Sequence, residues 1–71
     1  MEPLAIFAAN IRRLREDAGL TQEQLAHASD LNMTDIARIE LARREPGVTI
    51  AAKIARGLQV DPGRLFENVN P

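Results

Sequence analysis

Two helix-start signals set close together constrain this chain more than any other feature in it. Thr21-Gln-Glu-Gln24 is a capping box. In that pattern the threonine hydroxyl accepts from the N–H three residues on, and the glutamine side chain reaches back to the threonine N–H. Asn32 is the second signal, an N-cap with Asp35 at the third helical position. Leu25 and Ala26 supply the inward side of the first helix, which Ser29-Asp30-Leu31 breaks, and Ile36 and Ile39 supply that of the next. Caps this near each other admit only two short helices and a connection of about four residues.

Similar punctuation organises the rest. Between Leu4 and Ala18, apolar residues fall at Phe7, Ile11, Leu14 and Ala18, which is one helical stripe. Pro3 suits its first turn, and Gly19 the left-handed position that ends it. After Pro46-Gly47 a fourth helix carries Ile50, Ile54 and Leu58 inward. Asp61-Pro62 is a cap followed by proline at the first helical position, and starts a fifth short helix containing Leu65 and Phe66. Five short helices without strand-like alternation predict an all-α, compact five-helix domain spanning 1–71, with its core within 4–67. Phe7 and Phe66 are expected in or beside that core.

Composition then narrows the function. Seventy-one residues make one domain. With no cysteine and a single histidine, disulfides and thiolate metal sites are excluded, and neither a metal nor a cofactor is expected. A catalytic site needs a nucleophile or acid–base pair with an orienting partner, and no such set is visible, so the chain does not read as an enzyme. No apolar run approaches the ~20 residues of a membrane span, and Met-Glu-Pro-Leu is no secretory leader. A cytoplasmic protein with no membrane partner is the expectation. Charge points the other way from nucleic acid: nine Lys+Arg against ten Asp+Glu give a net charge of −1, and the isoelectric point is near 5.7, whereas nucleic-acid binders are usually basic. Yet Arg12, Arg13, Arg15, Arg38, Arg43 and Arg44 lie in segments that a compact helical fold can bring together. A local patch sets the field within a Debye length of ~8–10 Å.

The short connection between the second and third helices is that of a helix-turn-helix, whose second helix enters the groove. The residues around it carry a resemblance. Leu14-Arg15…Gly19-Leu20-Thr21-Gln22…Leu25-Ala26, then Leu31…Ile36-Ala37-Arg38-Ile39-Glu40, then Arg43-Arg44-Glu45-Pro46 and Ile54-Ala55…Leu58…Val60 stand in one ordered series. That series resembles the lambda-repressor-like, or Cro/Xre-type, helix-turn-helix DNA-binding domain over residues 7–66. The resemblance implies a sequence-specific transcriptional regulator of double-stranded DNA with residues 33–41 in the major groove. It would act by occupancy, as small phage-type repressors or restriction–modification controller proteins do, without a small-molecule effector. It would bind as a homodimer on a palindromic or pseudopalindromic operator. A protein-interaction module on the same fold, without DNA binding, is the alternative; the acidic balance and the apolar Met33 and Leu41 speak for it.

At 100° per residue, inward Ile36 and Ile39 leave Met33, Thr34, Ala37, Arg38 and Leu41 outward, at positions that read bases in the family. Arg38 is the long donor among them and can bond guanine O6/N7 bidentately, worth roughly 1–3 kcal/mol of discrimination. Thr34 offers a hydroxyl or methyl, and Met33 an apolar contact to a thymine methyl. So few polar readers leave part of the specificity to DNA shape. Gln22 resembles the family's phosphate-contacting glutamine, and Arg43 and Arg44 are the remaining phosphate candidates. Arg15 and Glu40 match the family's internal ion pair and are assigned to the fold. Arg12 and Arg13 read as a solvated face with phosphate contact as the alternative, and His27 as a surface residue. Asp35 reads as turned back toward the Asn32 cap, with a cytosine N4 as the alternative. Leu65, Phe66 and Val69 are the expected dimer interface. Where the family favours glycine, this chain has Asp30, Ala42 and Gln59. Alanine tolerates the left-handed region poorly, so the path after residue 41, and with it Arg43 and Arg44, is expected to depart from the family's.

Overall fold

A computed structural model describes residues 2–71. Among them lie four α-helices, α1 (Pro3–Asp17), α2 (Gln22–Ala28), α3 (Met33–Glu40) and α4 (Val48–Leu58), then a 3-10 helix over Pro62–Phe66, and no strand. No helix among these residues is long and apolar enough to cross a membrane. The expected fifth α-helix is therefore a 3-10 turn. Asp61 does cap it, accepting from the Gly63 N–H at 2.8 Å. Five residues with Gly63 among them are too few to sustain an α-helical ladder, and the tighter i→i+3 form is used for such short pieces.

The helix starts follow their caps. Thr21 Oγ1 accepts from the Gln24 N–H at 3.1 Å, and Gln24 Oε1 from the Thr21 N–H at 2.9 Å. Asn32 Oδ1 accepts from the Asp35 N–H at 2.8 Å.

All four α-helices also end alike. A left-handed residue follows the last turn: Gly19 (φ 73°), Asp30 (φ 57°), Ala42 (φ 56°) and Gln59 (φ 58°). The next N–H then reaches back five residues: Leu20 to Arg15 O at 3.0 Å, Leu31 to Ala26 O at 2.8 Å, Arg43 to Arg38 O at 2.9 Å and Val60 to Ala55 O at 3.0 Å. This is the Schellman motif, which satisfies carbonyls that the helix end would otherwise orphan. Leu20, Leu31 and Val60 anchor it by packing on the core. The expected departure after residue 41 does not occur: Ala42 takes the glycine-type conformation, and the chain closes with the same hydrogen bond as at the other three helix ends.

That strain is measurable. A non-glycine residue in the left-handed region costs roughly 1–2 kcal/mol, partly returned through the unfolded chain. Ala42→Gly is expected to stabilise the protein by about 1 kcal/mol, a rise of about 4–8 °C in melting temperature for a domain this size. A melt that stays put or falls refutes the assignment of strain to this residue.

The helical stripes meet in one core where Ile11, Leu25, Ile36, Ile39, Ile54 and Leu65 are fully buried. α2 packs on both α3 and α4, while α1 closes against α3 and the 3-10 segment. Ala18, the end of the expected α1 stripe, is exposed at the helix cap. Phe7 is buried; Phe66 lies half exposed against it, ring centroids 4.9 Å apart and tilted. Asn10 is also buried, and its Nδ2 donates to Leu65 O at 3.0 Å and Glu67 O at 2.8 Å. Both amide hydrogens are used, and the C-terminal segment is stapled to α1.

Candidate nucleic-acid interface

Beyond its core packing, α3 is held by one carboxylate. Glu40, at its C-terminal end, accepts from Arg15 Nε at 2.7 Å and Arg15 Nη2 at 3.0 Å. Arg15 Nη1 donates to Leu20 O at 2.8 Å. The pair is nearly dry, with side chains 12% and 3% exposed. Hydrogen bonding to Glu40 raises the Arg15 pKa further above its already high ordinary value, while burial opposes the shift. Its guanidinium is therefore charged at any pH the fold meets. Glu40 also accepts from Gln22 Nε2 at 3.2 Å. One carboxylate thus ties α1, α2 and α3 together, and Gln22 projects from a fixed anchor rather than freely.

With its inward side sealed by Ile36 and Ile39, α3 turns Met33, Thr34 and Arg38 to solvent. Arg38 forms no ion pair among the described residues. Apolar Met33 and Leu41 are 50% and 62% exposed. Arg43 is exposed and equally unpaired. Arg44 behaves differently: it folds back over the first turn of α3, its Nη1 donating to Asp35 Oδ1. This corrects one expectation. The Asp35 carboxylate turns to Arg44, and only its backbone N–H serves the Asn32 cap; one amino group of Arg44 is thereby engaged, while its Nε and Nη2 have no partner among the described residues. The loop closed at Ala42 carries Arg44 across the helix, a meeting no local periodicity announces.

The other charges are quieter. Arg12 pairs with Glu16 at 3.4 Å and Arg13 with Glu67 at 3.6 Å, both exposed and worth little. His27 is exposed. Of the expected dimer residues, Leu65 is fully buried and offers no surface to a partner, because the Asn10 staple draws its turn into the core. Phe66 and Val69 instead line a groove of about 240 Å³ with Pro3, Leu4, Phe7 and Val48. No group of acidic, histidine or cysteine residues among those described could hold a metal ion.

Known proteins share this fold. The Helix-turn-helix family model matches residues 11–65. An uncharacterised HTH-type transcriptional regulator of Sinorhizobium fredii, y4dJ, is 32% identical over 60 residues, covering 84% of this chain and 78% of that protein. The crystal structure of the restriction-modification controller protein C.AhdI from Aeromonas hydrophila superposes with a TM-score of 0.87 at 33% identity, covering 89% of this chain and 96% of that one. Wild-type restriction-modification controller protein C.Esp1396I gives 0.87 at 32% identity, covering 97% and 91%.

Proposed function

Because the chain belongs to the helix-turn-helix family of Cro/Xre-type DNA-binding transcription regulators, we propose that it controls transcription by occupying a specific operator as a homodimer, with residues 33–41 in the major groove. The observation that carries this reading is the outer face of α3, where Arg38 stands exposed and unpaired beside Thr34 and Met33. Arg38 reads a guanine edge, and Thr34 and Met33 add a hydroxyl and an apolar contact. Arg43, Arg44 and the anchored Gln22 hold phosphates. On this reading residues 1–71 form one domain that works in the cytoplasm without a cofactor or effector.

Dimerisation follows from charge. A domain of net charge −1 neutralises few phosphates alone, and two copies on a palindromic or near-palindromic site double that number. Half-sites then lie about one helical turn, ~34 Å, apart. Phe66 and Val69 are the side chains offered to the second copy. Sedimentation at micromolar concentration should show a dimer, and a strict monomer that also binds DNA singly would remove this part of the proposal.

Selection of bound duplexes from a random pool supplies the operator and tests DNA recognition directly. On that operator Arg38→Ala is expected to cost about 1–3 kcal/mol, concentrated at particular base pairs, with the thermal melt unchanged. A uniform loss across all sequences would show that Arg38 does not read bases. The exposed Met33 and Leu41 favour a second reading, a protein-docking face. Salt separates the two: phosphate-dependent binding weakens steeply with ionic strength, and apolar docking does not.

A further inference from the structure

We propose that Asp35 is a positioning residue for DNA recognition: it holds Arg44 as a fixed two-donor fork beside the start of α3. The inference rests on the DNA-binding reading above and assigns Asp35 a task that its charge alone would forbid. A carboxylate on the first turn of a groove-facing helix repels phosphate and should weaken binding. Here that carboxylate is occupied. Its Oδ1 accepts from Arg44 Nη1, and the two side chains are 24% and 37% exposed.

The geometry leaves a defined donor set. Arg44 Nη1 is engaged by Asp35, and Nε and Nη2 have no partner among the described residues. Those two nitrogens form one side of the guanidinium and present parallel N–H groups, the pattern that matches two neighbouring acceptors. On duplex DNA such acceptors are guanine O6/N7 or two oxygens of one phosphate. The pair sits where a recognition helix meets base edges, at its N-terminal end. Two backbone features fix it there. The Asn32 cap holds the Asp35 backbone, and the hydrogen bond from Arg43 N–H to Arg38 O closes the loop beside Arg44. Without Asp35, the long side chain of Arg44 must be ordered at the moment of binding, which lowers affinity.

Binding of the selected duplex by wild type, Asp35→Ala, Asp35→Asn, Arg44→Ala and the Asp35→Ala/Arg44→Ala double variant tests this, each protein also being melted without DNA. Asp35→Ala is expected to weaken binding about three- to tenfold, although it removes a negative charge from a DNA-facing surface. The double variant should bind no worse than Arg44→Ala alone. Asp35→Asn keeps an acceptor oxygen and should fall between wild type and Asp35→Ala; it carries the comparison if the alanine variant melts early. Loss confined to one base pair in Arg44→Ala identifies a guanine contact. A uniform loss with a salt slope shallower by about 1 identifies a phosphate. Equal or tighter binding by both Asp35 variants overturns the inference and leaves the DNA-binding reading standing, as do losses that simply add in the double variant. Wild type that retains no duplex overturns both.

Discussion

Replacing Glu40 with alanine is expected to remove about 3–5 kcal/mol of folding stability, the cost of leaving one member of a buried ion pair unpaired. Small domains are stable by roughly 5–15 kcal/mol in total, so a loss of this size removes a large share of the stability. The physical reason is the desolvated Arg15, which keeps only Leu20 O once the carboxylate is gone. The link from Gln22 to α3 goes with it. Urea denaturation should show a lower midpoint with an unchanged slope. DNA binding should then fall in step with the folded fraction and return on stabilisation by cooling toward the temperature of maximum stability. A variant that melts like wild type yet no longer binds DNA would move Glu40 from the scaffold to the recognition surface. Replacing Arg15 and Glu40 together with apolar residues of similar volume should cost far less than either single loss.

The second large effect lies at the crossing of α2 and α4. A Cβ at Gly57 would stand inside van der Waals contact of Ser29 Oγ, 3.0 Å from Ser29 N and 3.1 Å from the Ala28 carbonyl carbon. The hydroxyl could be removed, but the backbone of α2 cannot retreat without opening the core around Leu25 and Ile54. Overpacking of this kind costs about 1–3 kcal/mol. Alanine's better helix propensity, about 1 kcal/mol, offsets part of it. Gly57→Ala is thus expected to be destabilising by up to about 2 kcal/mol on balance. Ser29 Oγ is buried with no hydrogen-bond partner among the described residues, so Ser29→Ala should be neutral or stabilising. It should also rescue part, and only part, of the Gly57→Ala loss. Thermal melts of both singles and the double measure this coupling. Full additivity would mean that the hydroxyl is not what the methyl meets.

Much of the fold is legible because its instructions are local. A cap such as Thr21 or Asn32 acts on an N–H three residues away, and an inward stripe repeats within one turn. Such signals survive without knowledge of anything distant. The helix ends were half legible: Gly19 announces a left-handed residue, whereas Ala42 and Gln59 adopt the same conformation without announcing it. Their backbone is set by closure of the Schellman bond and by packing of the next segment. Asn10 could not be read at all. It looks like a surface residue of α1 until the chain returns 55 residues later and places two carbonyls against it. Gly57 belongs to the same class, since its lack of a side chain matters only where α2 crosses.

Where each helix begins, which side of it faces inward and which side chains of 33–41 face out are all written in residues close along the chain. Hydrogen-bonding caps and apolar periodicity are properties of neighbouring residues, so those features needed no tertiary knowledge. Which charges stay unpaired is settled instead by the packing of distant segments. Arg12, Arg13, Arg15 and Arg44 each pair with a carboxylate, while Arg38, Arg43 and Arg56 form no ion pair among the described residues. An ion pair forms over a few ångströms of space whatever the separation in the chain, so a count of charges could not foresee it. The near-neutral balance conceals a small, selective set of open cations, because packing has already spoken for most of the rest.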